Sequence, residues 1–191
     1  MHEVLIKVPG EKRSMTIRKI EVERFSVISS KPFDAVVAVM EAAVGRPDMR
    51  EFMKATKDAR SFAELKNVIE RGLGRTGLML FMKLDLGDIL RKETGLAERK
   101  IVRFLIGNPL IMKEMARHVP DAGSYAPVTI LIDERPDGVH LTYDKMASLI
   151  APYENSYALS VARDLDSKIE SLIRESAGND LSVTHRSGSD L

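Results

Sequence analysis

Residues Lys100–Met115 read KIVRFLIGNPLIMKEM, and the fold turns on how this stretch divides. Ile101–Ile106 is an apolar run of strand length. Gly107-Asn108-Pro109 ends it and starts a helix at once. Glycine permits a tight reversal. The Asn108 side chain can accept from an orphan N–H of the first turn. Pro109 suits the first helical position, where no N–H is needed and φ is already helical. The spacing then predicts a helix that buries Ile111, Met112 and Met115 and stops before Pro120.

Working outward, residues 16–29 (TIRKIEVERFSVIS) read as one strand whose apolar phase switches between Val22 and Phe25, as a β-bulge would produce. Residues 1–15 read as an N-terminal arm, with a short strand at Val4-Leu5-Ile6 as the other reading. Lys31-Pro32 breaks the strand. Phe33, Val36, Val37, Met40 and Val44 then recur at helical spacing, and Gly45 reads as the residue that ends the helix. Pro47-Asp48 opens a second helix with Met49, Phe52 and Met53 on one side. Ser61-Phe62-Ala63-Glu64 is a capping box for a third, with Phe62, Leu65 and Ile69 inward. These two helices, residues 47–72, read as an insertion. Leu78–Leu84 (LMLFMKL) reads as a strand whose two faces are both covered at least in part, and Asp85–Thr94 as a helical turn with Ile89 and Leu90 inward. Val128–Asp133 and Val139–Tyr143 alternate around the turn sequence Glu134-Arg135-Pro136-Asp137-Gly138 and predict a β-hairpin. Met146–Tyr153 reads as a short helix stopped by Pro152, and Tyr157–Glu175 as a long amphipathic one. Residues 177–191 read as a disordered tail. Strands in runs, one hairpin and flanking helices predict an α+β two-layer sandwich. Its mainly antiparallel sheet of about five strands, within residues 16–176, carries helices on one face.

Composition narrows the chemistry. The 191 residues suit a single domain. With 44% hydrophobic and 30% charged residues the chain has the makeup of a globular protein. Lys and Arg number 29 against 28 Asp and Glu, which speaks against a nucleic-acid binder. The absence of cysteine excludes disulfides, thiol nucleophiles and thiolate metal centres, and fits a cytoplasmic location. No apolar run approaches the roughly 18 residues of a membrane span.

Several pieces in order resemble a known family: SSKPFDAVVAVMEAAVG, RTGLMLFMKLDLGDILRKETG, VRFLIGNPLIMKEM, SYAPVTILIDE and DGVHLTYDKMASLIAPY. Together they resemble the domain of unknown function 302 family of bacteria and archaea, over about Glu21 to Glu175. The resemblance implies a β-α-β(4)-α fold with a layout similar to half of the TATA-binding protein, often paired as a homodimer. It implies no reaction and so no catalytic residues. Many relatives have a cysteine just before the Asn-Pro of the turn, where this chain has Gly107.

Five places carry candidate chemistry, each beside a plainer reading. The 107–109 corner could hold an anion at the helix N-terminus, with Arg103 supplying charge; the plainer reading is a capped turn. Glu114 and His118 stand i, i+4 on a helix, with His140 as a third metal ligand; the plainer reading is a surface ion pair, and we assign no metal. Met79/Met82 and Met112/Met115 have thioether spacing, but a strand sends the first pair to opposite faces, and core packing accounts for the second. Asp85 and Asp88 suit acid–base work or helix capping. Tyr125, Tyr143, His140 and Thr142 could line a pocket near the hairpin. No dinucleotide fingerprint, P-loop or catalytic triad spacing is present, and no cofactor is assigned.

The sequence therefore favours a non-catalytic small-ligand-binding or regulatory domain. The ligand would be a small anion at Arg103, Gly107, Asn108, Leu110 and Tyr143. The alternatives are an enzyme without a familiar motif, working through Asp85, Glu114, His118 or Tyr143, and a structural dimer module.

Overall fold

A computed structural model describes residues 3–7, 14–95 and 100–178. The tail expected from 177 lies outside them from 179 onward. Strands β1 (Glu3–Lys7) and β2 (Ser14–Arg18) form an antiparallel hairpin of their own. β3 (Arg24–Ser29) leads to helices α1 (Phe33–Ala43), α2 (Met49–Asp58) and α3 (Phe62–Gly72). Then come β4 (Met79–Asp85), α4 (Gly87–Thr94), β5 (Ile101–Gly107) and α5 (Pro109–Ala116). β6 (Val128–Arg135), β7 (Gly138–Asp144), α6 (Met146–Ile150) and α7 (Ser156–Ala177) complete the chain. The main sheet has five strands in the order β3-β7-β6-β5-β4, and every neighbouring pair is antiparallel.

Strand alternation divides this sheet into two faces. One face carries Phe104, Ile106, Ile130, Ile132, Leu141 and Tyr143, all at most 1% exposed, against Val36 and Met40 of α1 and Ile169 and Leu172 of α7. The register Phe104–Ile130–Tyr143 runs straight across β5, β6 and β7. The opposite face carries Arg103, Leu105, Thr129, Leu131 and Thr142, which remain partly open to solvent. A satellite core of Phe52, Ile69 and Met79 joins α2 and α3 to the start of β4.

The corner after β5 forms as its three residues dictate. Asn108 Oδ1 accepts from Leu110 N at 2.8 Å, and Pro109 opens α5. The other end of the same amide does a second job: Asn108 Nδ2 donates to Gly77 O at 2.9 Å. One side chain thus ties the β5–α5 corner to the loop that leads into β4.

Several expectations are corrected. Residues 16–29 are not one bulged strand: β2 pairs only with β1, β3 pairs only with β7, and the charged residues between them are exposed. The bulge lies instead in β4, where the register to β5 shifts between Leu80 and Met82. β4 is an edge strand whose cover is partial: Met79 is buried, Leu80 and Phe81 are half-buried, and Met82 is 48% exposed. Ile89 is 70% exposed because only the other side of the short α4 meets β5. Phe62 and Met53 also face outward; Phe62 lies under Lys113 Nζ, which sits 5.0 Å from the ring centre. Gly45 is not a left-handed helix cap, since α1 ends on an extended Val44. Its role is close approach: a Cβ there would fall 1.9 Å from Gly72 O, and one on Gly74 would fall 2.3 Å from Gly45 N.

Replacing Asn108 removes a cap and a partly buried tie together. Asn108→Ala is expected to cost about 1–3 kcal/mol of unfolding free energy in urea titrations. Asn108→Asp keeps the Leu110 cap but loses the donor to Gly77, and falls between the two. Equal stability of all three proteins would remove the corner from the account of the fold.

Candidate functional site

The sheet's alternation decides where the candidate residues stand. Arg103 lies on the open face, and Tyr143 on the helix-covered face, so the structure does not bring them together. Gly107 and Asn108 sit at the end of β5, beside the cis peptide Ala126-Pro127. Leu110 packs against the satellite core, and its N–H is taken by Asn108.

Arg103 stands in a cleft of about 560 Å³ on the open face. Thr129, Thr142, Leu105, Leu131 and Tyr125 line it with Arg103, and the Tyr125 hydroxyl is shared with that of Tyr153 at 3.2 Å. Nη2 of Arg103 lies 3.3 Å from Thr129 Oγ1, and no carboxylate pairs with this guanidinium among the described residues. Arg24 borders the same cleft but is committed. It grips Asp144 with Nε to Oδ1 at 2.6 Å and Nη2 to Oδ2 at 2.9 Å. That grip holds the Asp144 carboxyl below its ordinary range. The cleft therefore carries one uncompensated positive charge, at Arg103, over a floor that mixes leucine with hydroxyl groups.

Tyr143 belongs to a buried polar knot. Its hydroxyl donates to Asp166 Oδ1 at 2.6 Å. Asp166, on α7, also accepts from Met146 N at 2.8 Å and Ala147 N at 3.0 Å, and so caps α6 from another helix. Burial raises the Asp166 carboxyl above its ordinary range, against the pull of its hydrogen bonds. Burial, with the charge of Asp166 beside it, drives the Tyr143 phenol far up. Both groups hold α6 and α7 to the sheet. Asp166 was not singled out from the sequence, yet it left a signal: it stands in the apolar stripe of Ala162, Leu165 and Ile169, where a carboxylate needs partners.

The remaining candidates separate, apart from Glu114 and His118, which meet through Tyr157. Glu114 accepts from Lys113, from Arg117 at 3.3 Å and from the Tyr157 hydroxyl at 3.1 Å, and the Lys113 contact lowers its pKa. His118 meets the Tyr157 ring edge-on, with centres 5.0 Å apart. His140 bonds Asp137 at 2.8 Å at the hairpin end, on a different element. Asp85 accepts from Asp88 N at 3.0 Å and from Arg91 at 2.7 Å, at the start of α4. Asp85, Glu114 and Tyr143 thus have no partner in common and form no single constellation. Of the two Met-x-x-Met pairs, Met79 and Met82 part, the first buried and the second exposed, whereas Met112 and Met115 stay on one side of α5 and line one cavity.

The Asp166 knot sets a pH dependence with a definite sign. A carboxyl with a raised folded pKa favours the fold most when protonated. Its contribution is lost as pH climbs from the ordinary value of about 3.9 through the folded pKa. The unfolding free energy of the native chain minus that of Asp166→Asn is therefore expected to shrink as pH rises through that window. A difference that grows with pH would show hydrogen bonding to outweigh burial. Tyr143→Phe, which strips a donor from a buried carboxylate, is expected to cost about 1.5–3 kcal/mol.

Comparison with known proteins agrees with the fold. A crystal structure of an uncharacterized conserved DUF302 protein from Bacillus stearothermophilus superposes with a TM-score of 0.55 at 12% identity, covering 78% of this chain and 94% of that one. At that identity the likeness concerns the fold alone. No curated protein matches the chain. Among the described residues no helix is long and apolar enough to cross a membrane. The model of the family "Domain of unknown function DUF302" matches residues 52–176, well over half of the sequence, and the chain belongs to that family.

Proposed function

We propose that this protein is a non-catalytic binding domain for a small organic anion, and that the ligand sits in the open-face cleft with its charged group on Arg103. The observation that carries this reading is Arg103 itself: a guanidinium with no carboxylate partner among the described residues, in a cleft of about 560 Å³. A guanidinium matches carboxylate and phosphate in a two-bond fork. Thr129 and Thr142 offer hydroxyls to the same ligand, and Leu105 and Leu131 a floor for its carbon skeleton. The anion expected at the 107–109 corner moves to this cleft, because the corner's amide is spent on Leu110 and Gly77.

The working form in this proposal is a cytoplasmic homodimer. β3 and β4 are the two edges of the sheet, and Ile28 and Met82 on them are 50% and 48% exposed. Pairing along an edge covers unpaired strand groups and leaves the open face free.

A thermal-shift panel of carboxylates and phosphate monoesters tests the ligand. At least one compound is expected to raise the melting temperature, and Arg103→Met to weaken its binding by about tenfold or more. A panel without stabilisation, or a hit indifferent to Arg103→Met, would sink the cleft reading. Sedimentation equilibrium is expected to give twice the 21.3 kDa chain mass; a monomer throughout the micromolar range would remove the dimer.

A further inference from the structure

We infer that the apolar cavity between the β5–α5 corner and the Ala126-Pro127 segment is a second binding site, for an uncharged aromatic ring or compact branched alkyl group, and that Gly107 keeps it open. The cavity measures about 140 Å³, and its walls are Phe81, Met112, Met115, Pro127 and Leu165 around the backbone of Gly107. This inference is independent of the anion cleft, which contains Arg103, because the cavity walls contain neither Arg103 nor any other charged side chain.

Three observations set the ligand class. Polar groups at the rim are already used: the Asn108 amide is bonded at both ends. Among the described residues no buried side-chain nitrogen or oxygen lacks a partner, so nothing there calls for a bridging water. The recess is open to solvent on one side and offers water few polar partners, so a benzene-sized apolar guest gains by displacing the poorly held water there. The methionines on the α5 wall are flexible and polarizable, and suit an aromatic guest at close range.

Gly107 is the informative residue. Its φ is not in the left-handed region, so the backbone does not require glycine. Crowding does not require it either: a Cβ there would meet Pro127 Cβ at 3.4 Å and Phe81 Cε2 at 3.6 Å, ordinary contact distances. The position ends a β-strand, where β-branched residues are favoured and glycine is not. A side chain at 107 would point between Pro127 and Phe81, two walls of the cavity. The space it would take is the space left for the guest.

The test uses benzene and the unaltered protein labelled with carbon-13 at its methionine methyl groups. Titration is expected to shift the Met112 and Met115 signals in a saturable way while those of Met53 and Met82, which lie on the surface, stay put. No saturable shift up to the solubility of benzene, or shifts only at Met53 and Met82, would overturn the site. Gly107→Val, with Leu165→Phe as a filler from the opposite wall, then tests what keeps the cavity open. Each folded variant is expected to bind benzene at least about tenfold more weakly, whereas Arg103→Met leaves it unchanged. Undiminished binding by Gly107→Val would overturn the role given to Gly107.

Discussion

One backbone junction holds the two ends of the α2–α3 pair to the sheet. The carbonyl of Leu78 accepts from Gly45 N and from Gly74 N, both at 2.9 Å, and Gly45 O accepts from Leu80 N at 2.8 Å. Main chain lies directly on main chain, and neither glycine has room for a Cβ. The junction fixes where α1 ends, where α3 hands over to β4, and where β4 begins. Because Met79 pairs with Gly107, it also fixes the register of the edge strand against β5. Asn108 reinforces it from the far side through Gly77 O. The position of Gly107, and with it the cavity beside Pro127, follows from this lock rather than from α5 itself.

A second lock acts at the other end of the helical layer. Asp166 accepts from the start of α6 and from Tyr143 of β7, so three elements meet on one carboxylate. A buried ionisable group is an expensive fastener, since burial opposes its charge. The compensation is directional: three donors aim at it from two other elements, and an apolar residue could offer no such orientation. α6 has no side-chain cap of its own and depends on Asp166 for that purpose.

What could be read from the sequence was what adjacent residues decide. The 107–109 corner announces itself because strand end, cap and first helical residue are consecutive. The β6–β7 hairpin does so through alternation around a turn, and the antiparallel α+β class follows from the order of elements. What could not be read depends on partners distant in the chain. A phase switch in residues 16–29 looks the same whether a strand bulges or stops. The apolar run of β4 suggests partial cover on both faces, but only the strand order shows that it is an edge. Gly45 resembled a helix cap because the backbone that crowds it comes from residues 72–74. Arg103 and Tyr143 were grouped in one pocket because only the register, Phe104 to Ile130 to Tyr143, reveals that they face opposite ways.

That same register explains how one sheet can serve two kinds of chemistry. Successive residues of β5 alternate between a sealed layer and an open one: Val102, Phe104 and Ile106 are buried under the helices, while Arg103 and Leu105 look the other way. Substitution on the open face changes a cleft without disturbing close packing, whereas any change of volume beneath the helices is felt by the core. Charge on the open face is therefore free of the constraint that rules Asp166, which must satisfy every lone pair it buries. Gly107 lies where this alternation ends, at the last residue of β5, with Met115 of α5 and Leu165 of α7 lining the space beside it. Leaving out a side chain there opens room at the margin of the core, and an apolar cavity and a charged cleft stand on either side of the Ala126-Pro127 segment.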